Sequence, residues 1–302
     1  NLFLREKPIR IVTRRVDFSI FRHNFLGMSL YKYTKGIDHI IAISQKVKDV
    51  LTRDGVPSRN ISIVPDGVDV NRFRGIQGDN LFQEFLLPSD SLVLVNIAFL
   101  VGHKGQKYLI QAMAQVAQEF PNIHLFILGE GYLKEELTTL TAKLGLAQHI
   151  TFTGFRDDVG AFLSICKLLV VSSIEEGLNS TILDALALEI PVVATEAGGI
   201  PEIINKETGV LVPPADPKAL ASGISWVLKN YDKAKEMAKK GKMKVIEEFS
   251  ADSMVEGNLQ VYQKIIFGRG ADDALHRGNK ASAFVGQKSK TNTNSSVFKK
   301  RF

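Results

Sequence analysis

The sequence predicts an α/β protein built on parallel sheets, with one complete lobe and part of a second. Three observations carry that reading. Short apolar runs of strand length alternate with longer stretches whose apolar residues recur at helical spacing. The strand runs are nearly continuous in Val, Ile and Leu, the composition of strands covered on both faces. The alternation is complete between residues 92 and 230, whereas the stretch before residue 73 holds a few strand runs only.

Residues 9–13 (Ile9-Arg10-Ile11-Val12-Thr13) read as the first strand. Arg14-Arg15-Val16-Asp17 follows its carboxyl end, where ligands of α/β sheets lie; the arginine pair fits either a phosphate or acceptor contact or a solvated surface. Residues 25–33 form a short helix through Leu26, Leu30 and Tyr31. A second strand, 38–44, ends in Ser44, which caps a helix at 45–53. Residues 61–64 are a third strand, followed by the turn Pro65-Asp66-Gly67-Val68-Asp69.

The complete lobe opens with a strand at 92–98 and a helix at 106–120, whose apolar side carries Leu109, Ala112, Met113 and Val116. A strand at 124–128 runs into Gly129-Glu130-Gly131, and a helix at 132–144 stops at Gly145. Residues 150–152 are a short strand before Gly154-Phe155-Arg156-Asp157, with Asp157 as N-cap of a helix at 158–165. The strand at 168–171 leads to the turn Glu175-Glu176-Gly177 and to a helix carrying Ile182, Leu183, Leu186 and Leu188. Pro191 ends that helix because it cannot continue one. A strand at 192–194, a Gly-rich loop at 196–202 entering another helix, a strand at 209–212 and a helix at 217–229 with Pro at its start complete the lobe. Two further helices are expected at 232–248 and 251–266. From 268 onward Gly, Lys, Ser, Thr and Asn dominate, which reads as a disordered basic tail, 268–302.

Composition bounds the function. A length of 302 residues with 45% hydrophobic residues suffices for two lobes. No stretch approaches the ~20 apolar residues of a membrane span, and the short apolar start is not a signal peptide. The single cysteine, Cys166, sits among Leu163, Ile165 and Leu168, so it reads as a buried structural thiol of a reducing compartment. The expected location is cytoplasmic. Charge is uneven: residues 1–53 are net +7, residues 268–302 net +6, and the middle net −7. Basic ends suit peripheral contact with an anionic membrane or an acidic acceptor, with a solvated surface as the plainer reading of the tail. No zinc-ligand spacing or aromatic RNA-binding motif is present, so nucleic acid is not an expected partner.

The chemistry concentrates at 168–204. The N–H groups near Asn179, Ser180 and Thr181 are the unpaired donors of a helix start, with the positive dipole end behind them. Gly177, beside Leu178, permits close backbone approach to a ligand. Glu176 precedes this cradle and Asp184 follows eight residues later. Two carboxylates around a phosphate cradle suit a ligand bearing hydroxyls and phosphates together. The competing reading is a capping box, Thr181-x-x-Asp184, in which the Asp only satisfies the helix start. Gly129-Glu130-Gly131 lacks the third glycine of a dinucleotide fingerprint, which argues against NAD.

The run Glu176-Gly177, Asp184-Ala185-Leu186-Ala187, Ile190-Pro191-Val192-Val193-Ala194-Thr195 and Gly198-Gly199-Ile200-Pro201-Glu202 resembles the donor-site signature of the family 4 retaining glycosyltransferases. The resemblance covers about residues 9–266 and implies the GT-B arrangement of two Rossmann-like lobes. Residues 1–73 would be a partial acceptor-side lobe, 74–250 the nucleotide-sugar donor lobe, and 251–267 a helix returning to the first lobe. The signature usually has Glu at both acidic positions; here Asp184 is the second, one methylene shorter. The family usually places an Arg after the first donor-lobe strand and a Lys-Gly further on. Phe99 stands where the Arg is expected, and Lys104-Gly105 matches the second part.

The resemblance implies transfer of a sugar from a nucleotide diphosphosugar to a glycan or glycolipid acceptor, with retention and with no required metal or other cofactor. Glu176 and Lys104 would be the catalytic pair. Asp184, Gly177, Leu178, Asn179, Ser180, Thr181, His103, Gly129, Glu130, Phe155 and Arg156 would surround the donor. The first lobe of the family has further strands, a Gly-rich acceptor loop and often a catalytically important His before the equivalent of Ile9. That absence, and a start at Asn1, lead us to expect that upstream residues are missing. Two other readings stay open: a nucleotide-sugar-binding module without turnover, and a GT-B nucleotide-sugar 2-epimerase.

Overall fold

The structure, a computed structural model, describes residues 8–21 and 28–276. Two parallel sheets form its frame. A three-stranded sheet has the order β1-β2-β3, from β1 (Ile11–Arg14), β2 (His39–Ala42) and β3 (Ile61–Ile63). A six-stranded sheet has the order β6-β5-β4-β7-β8-β9. Its strands are β4 (Leu92–Ile97), β5 (Ile123–Leu128), β6 (Ile150–Gly154), β7 (Leu168–Val171), β8 (Val192–Thr195) and β9 (Val210–Val212). The helices are α1 (Met28–Thr34), α2 (Gln45–Arg53), α3 (Asn80–Glu84), α4 (Gln106–Glu119), α5 (Lys134–Lys143), α6 (Val159–Ile165), α7 (Ser180–Ala187), α8 (Ile200–Ile203), α9 (Pro217–Lys229), α10 (Tyr231–Glu248) and α11 (Ala251–His276). The chain divides into two compact units, one ending at Val261 and one beginning at Tyr262; in the second, Tyr262 to His276 are helical.

The apolar strand runs are explained by burial on both faces. β5, β7 and β8 are buried at every position. Alternate residues enter two cores, as the period of two in a strand requires. Val93, Val95, Phe126, Leu128, Leu169 and Val171 face one core, while Leu94, Leu125, Ile127, Leu168 and Val170 face the other. The first of these cores is shared between the two sheets. Ile40, Ala42, Ile43, Val47 and Leu51 of the small sheet and α2 belong to it together with Leu178, Ile182 and Leu186. The partial first lobe is therefore anchored by apolar contact with the larger one.

Most elements lie within two residues of their expected positions, and the cap at Ser44 is present: its Oγ accepts the Val47 N–H at 3.2 Å. Several expectations need correction. The N-cap of α6 is Asp158, not Asp157. The helix expected at 132–144 starts at Lys134, and α3 was not foreseen. The final helix extends to His276, so residues 268–276 are helical rather than part of a disordered tail; the remainder of the tail, 277–302, lies outside the described residues, as do residues 25–27 of the expected first helix.

Phe126 is fully buried, with Phe85 and Phe162 packed edge-on against it at centroid distances of 4.8 and 5.2 Å. Phe126→Ala should destabilise the fold by about 3–5 kcal/mol through lost burial and the cavity left behind. Urea unfolding of the two proteins side by side measures this, and a loss below about 1 kcal/mol would contradict the packing described.

Candidate functional site

The order of the large sheet reverses beside β4. The chain moves outward from β4 to β5 and β6, then returns to the other side of β4 for β7, β8 and β9. The loops leaving the carboxyl ends of β4 and β7 diverge, and a crevice opens between them. Lys104 lies in a 3-10 turn after β4, Gly102–Lys104, and Glu176 in the loop between β7 and α7.

Across this crevice Lys104 Nζ donates to Glu176 Oε2 at 2.6 Å, with the two side chains only 16% and 9% exposed. Ser173 Oγ and Asn179 Nδ2 each donate to the same oxygen at 3.0 Å. Among the described residues Oε1 of Glu176 accepts no hydrogen bond, so one carboxylate oxygen is left for a hydroxyl donor. Asn179 is also the N-cap of α7, its Oδ1 accepting from Ile182 N at 3.1 Å. This rules out the Thr181–Asp184 capping box. It leaves the Ser180 and Thr181 N–H groups as helix-start donors without an intrahelical acceptor.

The turn carrying Lys104 is fixed from the β7 side. Ser172 Oγ donates to Lys104 O at 2.9 Å, and Ile174 N donates to His103 O at 2.7 Å. Gly105 has a φ of 66°, and a Cβ there would collide with the Ser172 carbonyl oxygen. Only glycine lets the Lys104 turn sit this close to β7. His103 enters this arrangement through its backbone. A Cβ at Gly177 would collide with the Arg15 carbonyl of the small sheet's loop.

Asp184 is buried on α7. No hydrogen-bond or ion-pair partner for its carboxylate is found among the described residues. Burial raises its pKa to about 6, opposed by the Arg72 guanidinium. A carboxylate held in such surroundings is costly, which is a mark of functional sites.

Beyond the carboxyl ends of β4, β5 and β6 lies a cleft of about 230 Å³ lined by Ile97, Ala98, Leu128, Gly129, Val159 and the side chains below. Phe99 and Phe155 stand on it 70% and 77% exposed, an apolar pair left open to solvent. Arg156 lines it too, but its guanidinium is occupied. Asp158 accepts from Nε at 2.8 Å and from one terminal nitrogen at 2.7 Å, and Glu84 accepts from the other at 2.9 Å. These carboxylates hold its pKa above the ordinary arginine value. Arg156 thus shapes the cleft instead of offering a free charge. Glu130, also at the cleft, pairs with Lys134 at 3.2 Å.

The structure therefore brings Lys104, Glu176 and Asn179 into contact, and gathers Gly129, Glu130, Phe155 and Arg156 at the apolar cleft. Ser173 was missed by sequence reasoning, although a hydroxyl three residues before a key carboxylate in a turn was the available signal. Cys166 is buried, and burial raises its thiol pKa to about 12, which removes it as a nucleophile. Among the described residues no helix is long and apolar enough to cross a membrane.

Comparison with known proteins gives consistent matches. Residues 78–244 match the family described as glycosyl transferases group 1, and residues 13–72 match glycosyltransferase family 4. EpsD of Bacillus subtilis (strain 168), named as a glycosyltransferase, is 32% identical over 200 residues, covering 65% of this chain and 52% of its own. The lipopolysaccharide core biosynthesis glycosyltransferase LpsE of Rhizobium meliloti is 29% identical over 175 residues, covering 58% of this chain and 50% of its own. The chain spans about half the length of the curated relatives it matches. Among solved structures, Anabaena Alr3699/HepE in complex with UDP-glucose superposes with a TM-score of 0.74 at 23% identity, over 84% of this chain and 71% of that one.

Asp184 provides a pH test. Its folded pKa of about 6 lies above the ordinary 3.8, so its contribution to stability is fully present below about pH 4 and is lost as pH rises through 6. Asp184→Asn, which cannot ionise, should be more stable than the parent at pH 8 by up to about 3 kcal/mol, and the gain should vanish below about pH 4. Denaturation at the two pH values measures it; an equal difference at both would show that burial of the charge is not the cause.

Proposed function

The chain belongs to the glycosyl transferases group 1 family and has the GT-B fold, and we propose that it transfers a sugar from a nucleotide diphosphosugar to an acceptor with retention at the anomeric carbon. The Lys104–Glu176 pair at the head of α7 carries this reading. The slow event in such chemistry is breaking the bond between the anomeric carbon and the diphosphate oxygen. Charge builds on the leaving diphosphate while the sugar becomes oxocarbenium-like. Lys104, with the Ser180 and Thr181 N–H groups and the α7 dipole, offers positive potential where that charge develops. Glu176 accepts from hydroxyls of the donor sugar and Asp184 from those of the ribose. The base enters the cleft between Phe99 and Phe155, whose exposed rings suit stacking.

The acceptor hydroxyl attacks from the face that the diphosphate leaves, and its proton passes to the leaving phosphate. The new glycosidic bond then has the configuration of the old one, and neither a protein base nor a metal is required. LpsE is named for lipopolysaccharide core biosynthesis. That relationship supports a cell-envelope glycan or glycolipid acceptor, and the net +7 charge of residues 1–53 suits reaching it by peripheral contact with an anionic membrane at its cytoplasmic face. A second reading, nucleotide-sugar binding without turnover, is favoured by Phe99: an exposed apolar side chain occupies the place where related proteins usually carry a phosphate-binding Arg.

The donor site is tested by thermal stabilisation with UDP, GDP, ADP and their sugars. A ligand at 100 times its Kd should add about 2.7 kcal/mol. One base should stabilise the chain, and Lys104→Met should weaken that ligand at least about tenfold, or ~1.4 kcal/mol. A folded chain that responds to none of them would overturn the proposal. Retention is read separately, from the anomeric configuration of the product by NMR.

A further inference from the structure

Glu176 is fixed from both sides of its peptide. Gly199 N, in the Gly-rich loop after β8, donates to Glu176 O at 3.0 Å. On the other side, Glu176 N donates to Asp17 Oδ2 at 3.1 Å, and Asp17 belongs to the loop after β1 of the small sheet. One lobe thus holds the carbonyl of the residue at the centre of the site, and the other lobe holds its N–H.

A reciprocal contact lies nearby. Glu202, on α8 of the large lobe, accepts from Gln45 N at 2.9 Å and Lys46 N at 3.1 Å, capping α2 of the small lobe. Lys244 Nζ donates to the Glu202 carbonyl at 2.5 Å, tying α8 to α10. The two lobes therefore exchange carboxylates: Asp17 accepts from one backbone N–H of the large lobe, and Glu202 from two of the small one. Gly177 adds the close contact with the Arg15 carbonyl described above. Neighbouring Arg15 is itself held by Asp66, at 2.7 Å, in the turn that follows β3.

We infer that Asp17 is a positioning residue, through which the small lobe fixes the placement of the Glu176 carboxylate. The inference rests on the donor-site reading, because it is the sugar half of the donor that Glu176 would meet. Asp17 is half-buried, and desolvation, with Glu175 and Glu176 nearby, raises its pKa. A carboxylate in that place is compensated by the backbone N–H of Glu176, and removing this acceptor leaves that N–H without its partner. Asp17 acts through Glu176 and need not touch the donor. The nucleoside diphosphate half meets Lys104 and the head of α7, which Asp17 does not hold. Loss of Asp17 should therefore separate the two halves of the ligand.

The test compares the parent chain with Asp17→Ala and Asp17→Asn, using UDP and UDP-glucose as probes in titration calorimetry. Asp17→Ala should weaken UDP-glucose about tenfold while UDP stays within about twofold. Asp17→Asn, whose Oδ1 still accepts a hydrogen bond, should stay close to the parent for both. An equal loss of both ligands, or an Asn variant as impaired as the Ala variant, would overturn the inference. Asp17→Leu, which keeps the volume and removes the acceptor, replaces the Ala variant if that one does not fold. Amide hydrogen exchange without ligand gives an independent reading: the Glu176 amide should exchange at least about tenfold faster in Asp17→Ala. Unchanged exchange there overturns the inference even if the donor reading holds. Faster exchange in a chain that binds neither these probes nor GDP, ADP and their sugars would leave the contact standing and fail the donor reading alone.

Discussion

The ion pair between Lys104 and Glu176 is the contact on which the site depends. Its two members come from loops 72 residues apart in sequence, after β4 and after β7. They meet because the sheet reverses direction beside β4, so that these loops flank one crevice. The pair is mostly withdrawn from water, and its carboxylate also accepts from the Ser173 hydroxyl and the Asn179 amide. Such a pair is a weak source of stability, since desolvation offsets much of the attraction. Its value lies in holding a cation and a carboxylate, preorganised, at the head of a helix.

The large lobe carries other groups that a stability argument alone does not explain. Asp184 is buried without a hydrogen-bond partner among the described residues, and Phe99 and Phe155 are open to solvent. Each departs from the ordinary rule for its residue type, charge outside and large apolar groups inside. Phe99 and Phe155 lie beyond the carboxyl ends of β4 and β6, while strands β5, β7 and β8 obey the rule at every position. Local departures from consistency of this kind are what a binding site leaves in a fold.

The junction between the lobes is built from the same signature. The Gly198-Gly199-Ile200-Pro201-Glu202 run supplies the Gly199 N–H to Glu176 and the Glu202 carboxylate to α2. A Gly-rich segment that matches the donor-site signature in sequence is thus engaged with backbone, on its own lobe and on the other. The shared apolar core beneath it, from Ile40 and Val47 to Leu178 and Ile182, keeps the two lobes in register.

Glu176 and Lys104 were expected from the resemblance to the family's signature, whereas sequence by itself determined the α/β class and the position of nearly every strand and helix. Those readings rest on local physics: runs of Val and Leu that must be covered on both faces, helical periodicity, and the stopping power of Pro191 and Gly145. It left open whether Asp184 caps a helix, because Thr181-x-x-Asp184 satisfies that pattern equally well. It gave no sign that Asn179 would be the cap, that Arg156 would be held by Glu84, or that Asp17 would reach Glu176. Those facts depend on strand order and on the meeting of two sheets. A strand's composition records that it is buried, not which neighbours bury it. Only the tertiary structure could therefore decide which distant side chains share a crevice.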